Sequence, residues 1–114
     1  MNGCFDLLHP GHARLLRQAR ALGRRLLVLV NDDASVRAYK GPDRPVFSVR
    51  CRLAALQAFE AVTLAIPFSG DTPLPLLAAI RPDHHVKGGS FDPARVRAER
   101  ALLRQWGGRL ACLP

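Results

Sequence analysis

The sequence has few cysteines and no long apolar run, and each shortage excludes a class of protein. Its three cysteines, Cys4, Cys51 and Cys112, are far apart and form no Cys-x-x-Cys pair, which argues against a disulfide framework or a zinc ribbon. No segment approaches the ~20 consecutive apolar residues that span a bilayer. The first residues also lack the basic and apolar segments of a secretory signal peptide. We therefore expect a cytoplasmic protein with no membrane partner.

Acidic residues are also scarce: nine Asp and Glu stand against 17 Lys and Arg, which gives a formal net charge of +8. A basic surface gains affinity for nucleic acid by releasing counterions from phosphates. The arginines, however, are scattered along the solvent side of two predicted helices rather than clustered. We therefore expect no nucleic-acid partner, and nucleic-acid binding is kept only as a third alternative. A small anionic substrate would also benefit from this charge.

Short apolar runs alternate with segments of helical periodicity, which is the pattern of a parallel α/β sheet. The predicted strands are 26–30, 62–66, 84–87 and 109–113, and the predicted helices are 11–22, 34–39, 49–59, 73–81 and 93–106. No repeat or linker divides the 114 residues, so we expect one domain. Because ligands bind beyond the carboxyl ends of parallel strands, we expect the loops at those ends to converge on one edge.

The strongest motif lies in the first dozen residues, where His9 and His12 are separated by Pro10 and Gly11 just as a predicted helix begins. A helix N-terminus offers unpaired N–H groups and the positive end of the helix dipole. Imidazole N–H groups beside it are suited to phosphate oxygens, whose charge grows during phosphoryl transfer. The motif therefore predicts nucleotide chemistry.

Other roles for the motif residues are open. Gly3 and Gly11 fit either close approach of a phosphate to the backbone or a tight turn. Asp6 could orient a histidine or cap the turn, and we favour the structural role. Zinc held by Cys4, His9 and His12 is disfavoured because no fourth ligand has the usual spacing. Cys4 is not needed as a nucleophile.

The pattern from Asn2 to His12, Gly-x-Phe-Asp-x-x-His-x-Gly-His, resembles the signature of the cytidylyltransferase-like nucleotidyltransferases. Four later segments narrow the resemblance to the adenylyltransferase domain of bacterial ADP-heptose synthase. They are Val30–Val36, Lys40–Pro45, Pro67-Phe68 with Asp71-Thr72-Pro73, and Arg81-Pro82-Asp83 with Val86–Gly89. The resemblance implies a Rossmann-like, doubly wound parallel sheet. It also implies a central strand before Asn2 and a segment after Pro114, so we expect residues 1–114 to be a single nucleotidyltransferase domain truncated at both ends.

The activity that the resemblance implies is transfer of AMP from ATP to a sugar 1-phosphate, most closely heptose 1-phosphate. Pyrophosphate is released, ADP-heptose is formed and Mg²⁺ accompanies ATP. One alternative is a cytidylyltransferase acting on glycerol phosphate or a similar alcohol phosphate. Another is a non-catalytic remnant that binds nucleotide without turning it over. The resemblance also allows a homodimer, and a sugar kinase as a partner or fused domain.

The resemblance assigns site residues position by position. The predicted catalytic residues are His9, His12 and Lys40. The predicted nucleotide-binding residues are Asn2, Gly3, Cys4, Phe5, Gly11, His12, Lys87, Gly88 and Gly89. Weaker candidates for substrate binding are Asp32, Asp33, Arg44 and Asp71, and no residue is assigned as a protein ligand to a metal. The chain departs from the family at Ser90, where an acidic residue is common, and at His84 and His85, where apolar residues are usual.

Overall fold

The computed structural model describes residues 1–88 and 92–113, in which helices and strands alternate and every strand pair is parallel. In chain order the elements are β1 (Asn2–Gly3), α1 (Pro10–Arg20), β2 (Leu27–Asn31), α2 (Asp33–Lys40), α3 (Val49–Gln57), β3 (Leu64–Phe68), α4 (Leu74–Ile80), β4 (His84–Gly88), α5 (Pro93–Arg104) and β5 (Arg109–Leu113). The predicted parallel α/β architecture is confirmed. The chain forms two compact units, Met1–Asp71 and Thr72–Pro114.

The first unit is built on a three-stranded sheet in the order β1-β2-β3. The central strand, β2, supplies the core residues Val28, Leu29 and Val30, all fully buried, as expected for an apolar strand of a parallel sheet whose faces are covered by helices. The histidine motif itself begins on a strand. Asn2 and Gly3 pair with Leu29 and Val30, so β1 fixes where the following loop leaves the sheet.

The third strand starts later than predicted and is partly exposed. β3 starts two residues later than predicted, because the N–H of Val62 donates to Phe59 in a turn and the N–H of Thr63 donates to Leu26. Leu64 is exposed and lies on β3, one of the two outer strands of this three-stranded sheet. The run of apolar residues therefore predicted the strand correctly, although an apolar residue such as Leu64 is not buried.

The second unit pairs β4 with β5 in parallel and packs α4 and α5 with them. Leu77, Val86, Val96 and Leu103 form its apolar core. The last helix ends two residues earlier than predicted, and the indole N–H of Trp106 donates to the carbonyl of Pro82 at 2.8 Å. No helix in the described residues is long and apolar enough to cross a membrane.

Candidate active site

His9 and His12 cap the first helix reciprocally. His9 is the extended N-cap residue of α1, and its Nδ1 accepts the N–H of Gly11 at 3.0 Å. Nδ1 of His12 accepts the N–H of His9 at 3.2 Å, and the ring centroids are 4.1 Å apart. Two imidazoles thus perform the roles that Ser or Thr and Glu perform in a common capping box.

This geometry determines which nitrogen of each ring carries the proton. Because Nδ1 accepts a backbone hydrogen bond in both rings, a neutral imidazole must hold its hydrogen on Nε2. Burial lowers the pKa of His12, and the nearby charges of His9 and Lys40 lower it further. His12 is therefore neutral near pH 7, with its Nε2–H as a donor beside the positive end of α1.

Gly11 provides the space that the His9 ring occupies. A Cβ atom at Gly11 would lie 2.7 Å from Cε1 and 2.9 Å from Nδ1 of His9, closer than real contacts allow. A side chain here would therefore push the ring away from its cap position. The glycine has a steric function in the cap, in addition to any contact with phosphate.

Phe5 supports His12 from the interior of the motif. Its φ of 51° lies in the left-handed region, which is strained for a bulky side chain. The ring is buried, with its centroid 5.8 Å from that of His12. A Cβ atom at Gly3 would lie 3.0 Å from this ring, so the glycine leaves room for it. The backbone turn at Phe5 and the position of His12 are thus linked.

Asp6 fastens the loop between α2 and α3 to the motif. Its carboxylate accepts the N–H groups of Val46 at 2.8 Å and Phe47 at 2.9 Å, and Arg44 lies 3.5 Å away. Burial alone would raise the pKa of this carboxyl, but the two backbone hydrogen bonds and Arg44 outweigh it and hold the pKa below its usual value. Asp6 therefore has the structural role, in the form of a loop anchor.

The charge of Lys40 acts on two residues of the motif, His12 and Cys4. Lys40 is the exposed last residue of α2, and its charge contributes to lowering the pKa of His12. Burial raises the pKa of the Cys4 thiol, and its Sγ lies 3.9 Å from Oδ1 of Asn31. Cys4 therefore stays a neutral thiol near pH 7, which fits a packing role better than a nucleophilic one.

The predicted substrate-binding carboxylates after β2 already have protein partners. Asp32 caps α2 through the N–H of Ser35 at 2.8 Å and accepts the hydroxyl of Ser69 at 2.7 Å. Asp33 pairs with Arg52 at 2.7 Å. Asp71 is exposed beyond β3. Among residues 1–88 and 92–113, no group of three or more His, Cys, Asp or Glu side chains is arranged to hold a metal ion.

Lys87 and Gly88, which are predicted to bind nucleotide, lie in the second unit. Lys87 and Gly88 are the last residues of β4, and Gly89 lies outside the described residues. The ammonium of Lys87 is 3.1 Å from the buried carboxylate of Glu99, which also lies 3.5 Å from Nε2 of His85. The assignment of Lys87, Gly88 and Gly89 to nucleotide binding stays a prediction.

Sequence reasoning missed Arg52, the most buried charged side chain of the first unit. Leu53 and Leu56 are the apolar residues expected on the inner face of an amphipathic α3, and Leu56 is buried. Arg52, however, is only 1% exposed, whereas Leu53 is partly exposed. The signal was present, because Arg52 precedes Leu56 by four residues and so shares its helix face.

Similar curated proteins match along nearly the whole chain, but the match spans only part of their own length. The chain is 47% identical over 112 residues to the bifunctional protein HldE of Nitrosococcus oceani, which covers 98% of this chain and 24% of that protein. It is 51% identical over 109 residues to the bifunctional protein HldE of Acidiphilium cryptum, with 96% of this chain and 22% of that protein covered. The chain thus spans about a quarter of the length of these relatives.

A solved structure resembles the fold as a whole. The lipopolysaccharide core biosynthesis protein from Thermoplasma volcanium matches 99% of this chain and 92% of its own, with a TM-score of 0.82 and 26% identity. Residues 1–105 match the family described as cytidylyltransferase-like, and this family and the relatives indicate a nucleotidyltransferase. Because the match includes both capping histidines and the strands on either side of β2, the chain belongs to the cytidylyltransferase-like family.

Proposed function

We propose that the chain transfers AMP from ATP to heptose 1-phosphate, releasing pyrophosphate and forming ADP-heptose. The observation that carries this proposal is the reciprocal cap, which leaves an Nε2–H donor on both His9 and His12 at the N-terminus of α1. Preorganised donors of this kind are what a reaction that concentrates negative charge on phosphate oxygens requires.

In the proposed reaction, an oxygen of the sugar phosphate attacks the α-phosphorus of ATP. A bond forms between this oxygen and phosphorus, and the bond from the α-phosphorus to the bridging oxygen of pyrophosphate breaks. The leaving group takes the electron pair of that bond, and no covalent intermediate with the protein is required. Positioning and neutralisation of charge therefore supply most of the rate enhancement.

Each catalytic residue has a defined part in this scheme. His12 and His9 donate from Nε2 to oxygens of the triphosphate as the α-phosphorus gains its fifth oxygen neighbour. Lys40, at the exposed end of α2, supplies a positive charge to the same phosphates. Asp6 holds the loop between α2 and α3, which contains Arg44, next to the motif.

Mg²⁺ enters this scheme as part of the nucleotide substrate. The carboxylates of Asp6, Asp32 and Asp33 are engaged with backbone N–H groups, a hydroxyl or arginines, so they fit a scaffold better than a metal cage. A Mg²⁺ ion bound to triphosphate needs few protein ligands, since it usually keeps several waters and phosphate oxygens. Its contribution would be to neutralise charge on the leaving pyrophosphate.

The choice of ATP and heptose 1-phosphate rests on similarity. The later motifs resemble the adenylyltransferase domain of ADP-heptose synthase, and the HldE proteins and a lipopolysaccharide core biosynthesis protein are among the similar proteins. A sugar kinase activity supplied by a partner or a fused domain is part of the same proposal, because the similar curated proteins are named as bifunctional.

The direct test measures pyrophosphate release by the purified chain with Mg²⁺, heptose 1-phosphate and either ATP or CTP. Release with ATP alone would support the proposal. Preference for CTP, with glycerol phosphate as a better acceptor, would transfer the chain to the cytidylyltransferase alternative. If a folded sample binds ATP by calorimetry but releases no pyrophosphate, the chain is a binding remnant and the proposal fails.

A variant test addresses the role of His12. His12→Ala should lower turnover by ~10²-fold or more, the order expected when a preorganised donor is lost. His84→Ala is the matched control, because His84 is an exposed histidine outside the motif. Unchanged turnover of a folded His12→Ala variant would remove His12 from the mechanism.

A further inference from the structure

Arg52 uses one guanidinium group to join four segments of the first unit. Its Nε donates to the carbonyl of Phe47 at 3.0 Å, and one terminal nitrogen donates to the carbonyls of Cys4 at 2.8 Å and Asn31 at 2.6 Å. The other terminal nitrogen donates to Oδ1 of Asp33 at 2.7 Å. With only 1% of the residue exposed, the guanidinium itself lies away from bulk water, where hydrogen bonds to a charged group are strong, whereas the Asp33 carboxylate is partly exposed.

Two of these carbonyls lie at the point where neighbouring strands separate. The last pair between β1 and β2 is Gly3 with Val30, and Cys4 and Asn31 are the next residues in each strand. Beyond this pair the two strands lead to the motif and to α2, and no further β1–β2 pair among the described residues joins them. The guanidinium donates to both carbonyls and so joins the two strand ends where the histidine motif begins.

The carbonyl of Cys4 that accepts from Arg52 directly precedes Phe5, the strained residue of the motif. Phe5 adopts a φ of 51°, a conformation that persists only when the surrounding structure enforces it. The Phe5 ring in turn lies against His12, with 5.8 Å between the ring centroids. A contiguous set of contacts therefore runs from Arg52 through Cys4 and Phe5 to a predicted catalytic histidine.

The bond to Phe47 adds a second constraint. The N–H of Phe47 donates to Asp6, and its carbonyl accepts from Arg52, so both polar groups of this peptide segment are held. Asp6 belongs to the motif and Arg52 to α3. The end of the loop that follows Lys40 is thereby fixed to the same two anchors.

We propose that Arg52 is a positioning residue for nucleotidyl transfer, which holds the Cys4–Phe5 turn and thereby the ring of His12. This inference rests on the proposed function. Arginine suits the role because its planar group presents five donors in a fixed fork, four of which are used here on acceptors from four segments. A lysine ammonium has three donors on one atom and cannot reach all four acceptors.

The test compares Arg52→Lys with Arg50→Lys, an exposed arginine of the same helix that receives the same substitution. Arg52→Lys should lower kcat about 10²-fold, the order for a small misplacement of a catalytic group, with KM for ATP changed only a few-fold. Arg50→Lys should retain the wild-type values. Wild-type kcat in a folded Arg52→Lys variant would overturn the proposal, as would a loss of kcat that equals the loss of folded protein.

Nuclear magnetic resonance of histidine labelled with ¹³C separates positioning from activity. The Cε1–H resonance of His12, assigned with His12→Asn, should shift in Arg52→Lys and stay in place in Arg50→Lys. If Arg52→Lys does not fold, Asp33→Ala is measured instead, because it removes one acceptor of Arg52 at a partly exposed residue. An unmoved His12 resonance overturns the inference. Because this measurement needs no turnover, it still decides the role of Arg52 if the wild-type chain releases no pyrophosphate and the proposed function fails.

Discussion

The backbone N–H of His9 donates to Nδ1 of His12 across 3.2 Å, so both histidines of the motif cap the N-terminus of α1. The rings that we assign to phosphate are therefore also structural elements. Protonation of His12 at Nδ1 would remove this acceptor, since an imidazolium has only donors. Folding of the α1 N-terminus and the donor geometry at Nε2 consequently depend on the same protonation state.

Gly11→Ala tests the steric requirement of the cap. The new Cβ atom would meet the His9 ring at 2.7 Å and displace it, so we expect kcat to fall about 10²-fold through loss of one oriented donor. The free energy of unfolding should change by less than about 1 kcal/mol, because the lost cap and the better helix propensity of alanine oppose each other. Turnover and urea unfolding measure the two effects.

The control for this substitution is Gly23→Ala. A Cβ atom at Gly23 meets no described atom within 4 Å, so this variant should keep wild-type turnover. Equal turnover of Gly11→Ala and the wild-type chain would show that the position of the His9 ring does not matter for the reaction.

Asp6→Asn tests the anchor between the motif and the loop that follows Lys40. An asparagine has one acceptor oxygen, so its NH₂ group would face a backbone N–H that the carboxylate now accepts. We expect the free energy of unfolding to fall by ~1 kcal/mol, the low end of the cost of an unpaired donor, because these hydrogen bonds are only partly buried. Urea denaturation at pH 7 provides the measurement.

Asp43→Asn is the matched control for Asp6→Asn, since Asp43 is exposed in the same loop. Its free energy of unfolding should stay within about 0.5 kcal/mol of wild type, as for most surface substitutions. A loss confined to Asp6→Asn would locate the anchor in the motif. Equal stability of both variants would argue against it.

The sequence was sufficient for the elements and insufficient for the polar contacts that organise them. Ser48 directly precedes the predicted helix 49–59 and is a favoured N-cap residue, and its hydroxyl accepts the N–H of Cys51. Caps by histidine were not foreseeable, because N-cap preferences favour Ser, Thr, Asp and Asn. The pattern of one helix could not show that Arg52 finds acceptors in segments up to 48 residues away in sequence.

Buried polar residues were the other gap between sequence and structure. His85 was unexplained by the sequence, and the structure places it fully buried beside Glu99 on α5. Neither residue signals the other in a single sequence, because their pairing depends on how α5 packs in the second unit. The strands and helices follow from local periodicity, whereas this contact follows from tertiary packing alone.

The burial of His85 predicts that stability falls as the solution is acidified. Burial lowers its pKa in the folded chain, although the carboxylate of Glu99 opposes the shift. Below the unfolded pKa of about 6.5, the unfolded chain therefore binds a proton that the folded chain does not, and stability rises with pH. The contribution is complete above that pH and is lost as the pH falls, with a slope of at most about 1.4 kcal/mol per pH unit for one histidine.

His85→Leu should reduce this pH dependence between pH 7.5 and about 5.5, the range around the unfolded histidine pKa. Some slope should remain, because the pKa of His12 is lowered as well. His84→Leu, at the exposed neighbouring residue, serves as the control and should keep the wild-type slope. Urea midpoints at several pH values give the comparison, and an identical slope in His85→Leu and wild type would exclude His85 as the source.

Lys40→Gln tests whether the end of α2 acts on the motif. The charge of Lys40 is one of the causes that lower the pKa of His12, so its removal should raise that pKa toward the usual value of about 6.5. The acidic limb of the kcat/KM profile for ATP should then move to higher pH, because protonation of His12 breaks the cap. Loss of a charge-assisted contact to phosphate should also lower kcat/KM by ~10- to 10²-fold.

Arg37→Gln is the matched control, since Arg37 is an exposed cation one turn earlier on the same helix. It should leave both the His12 titration and kcat/KM close to wild type. A titration of the His12 Cε1–H resonance and a pH profile of pyrophosphate release separate the two roles of Lys40. If the pKa rises without a loss of kcat/KM, the lysine tunes His12 but makes no contact with the triphosphate. If neither changes, Lys40 has no part in the site, and the phosphate charge must be met by the histidines and the N-terminus of α1.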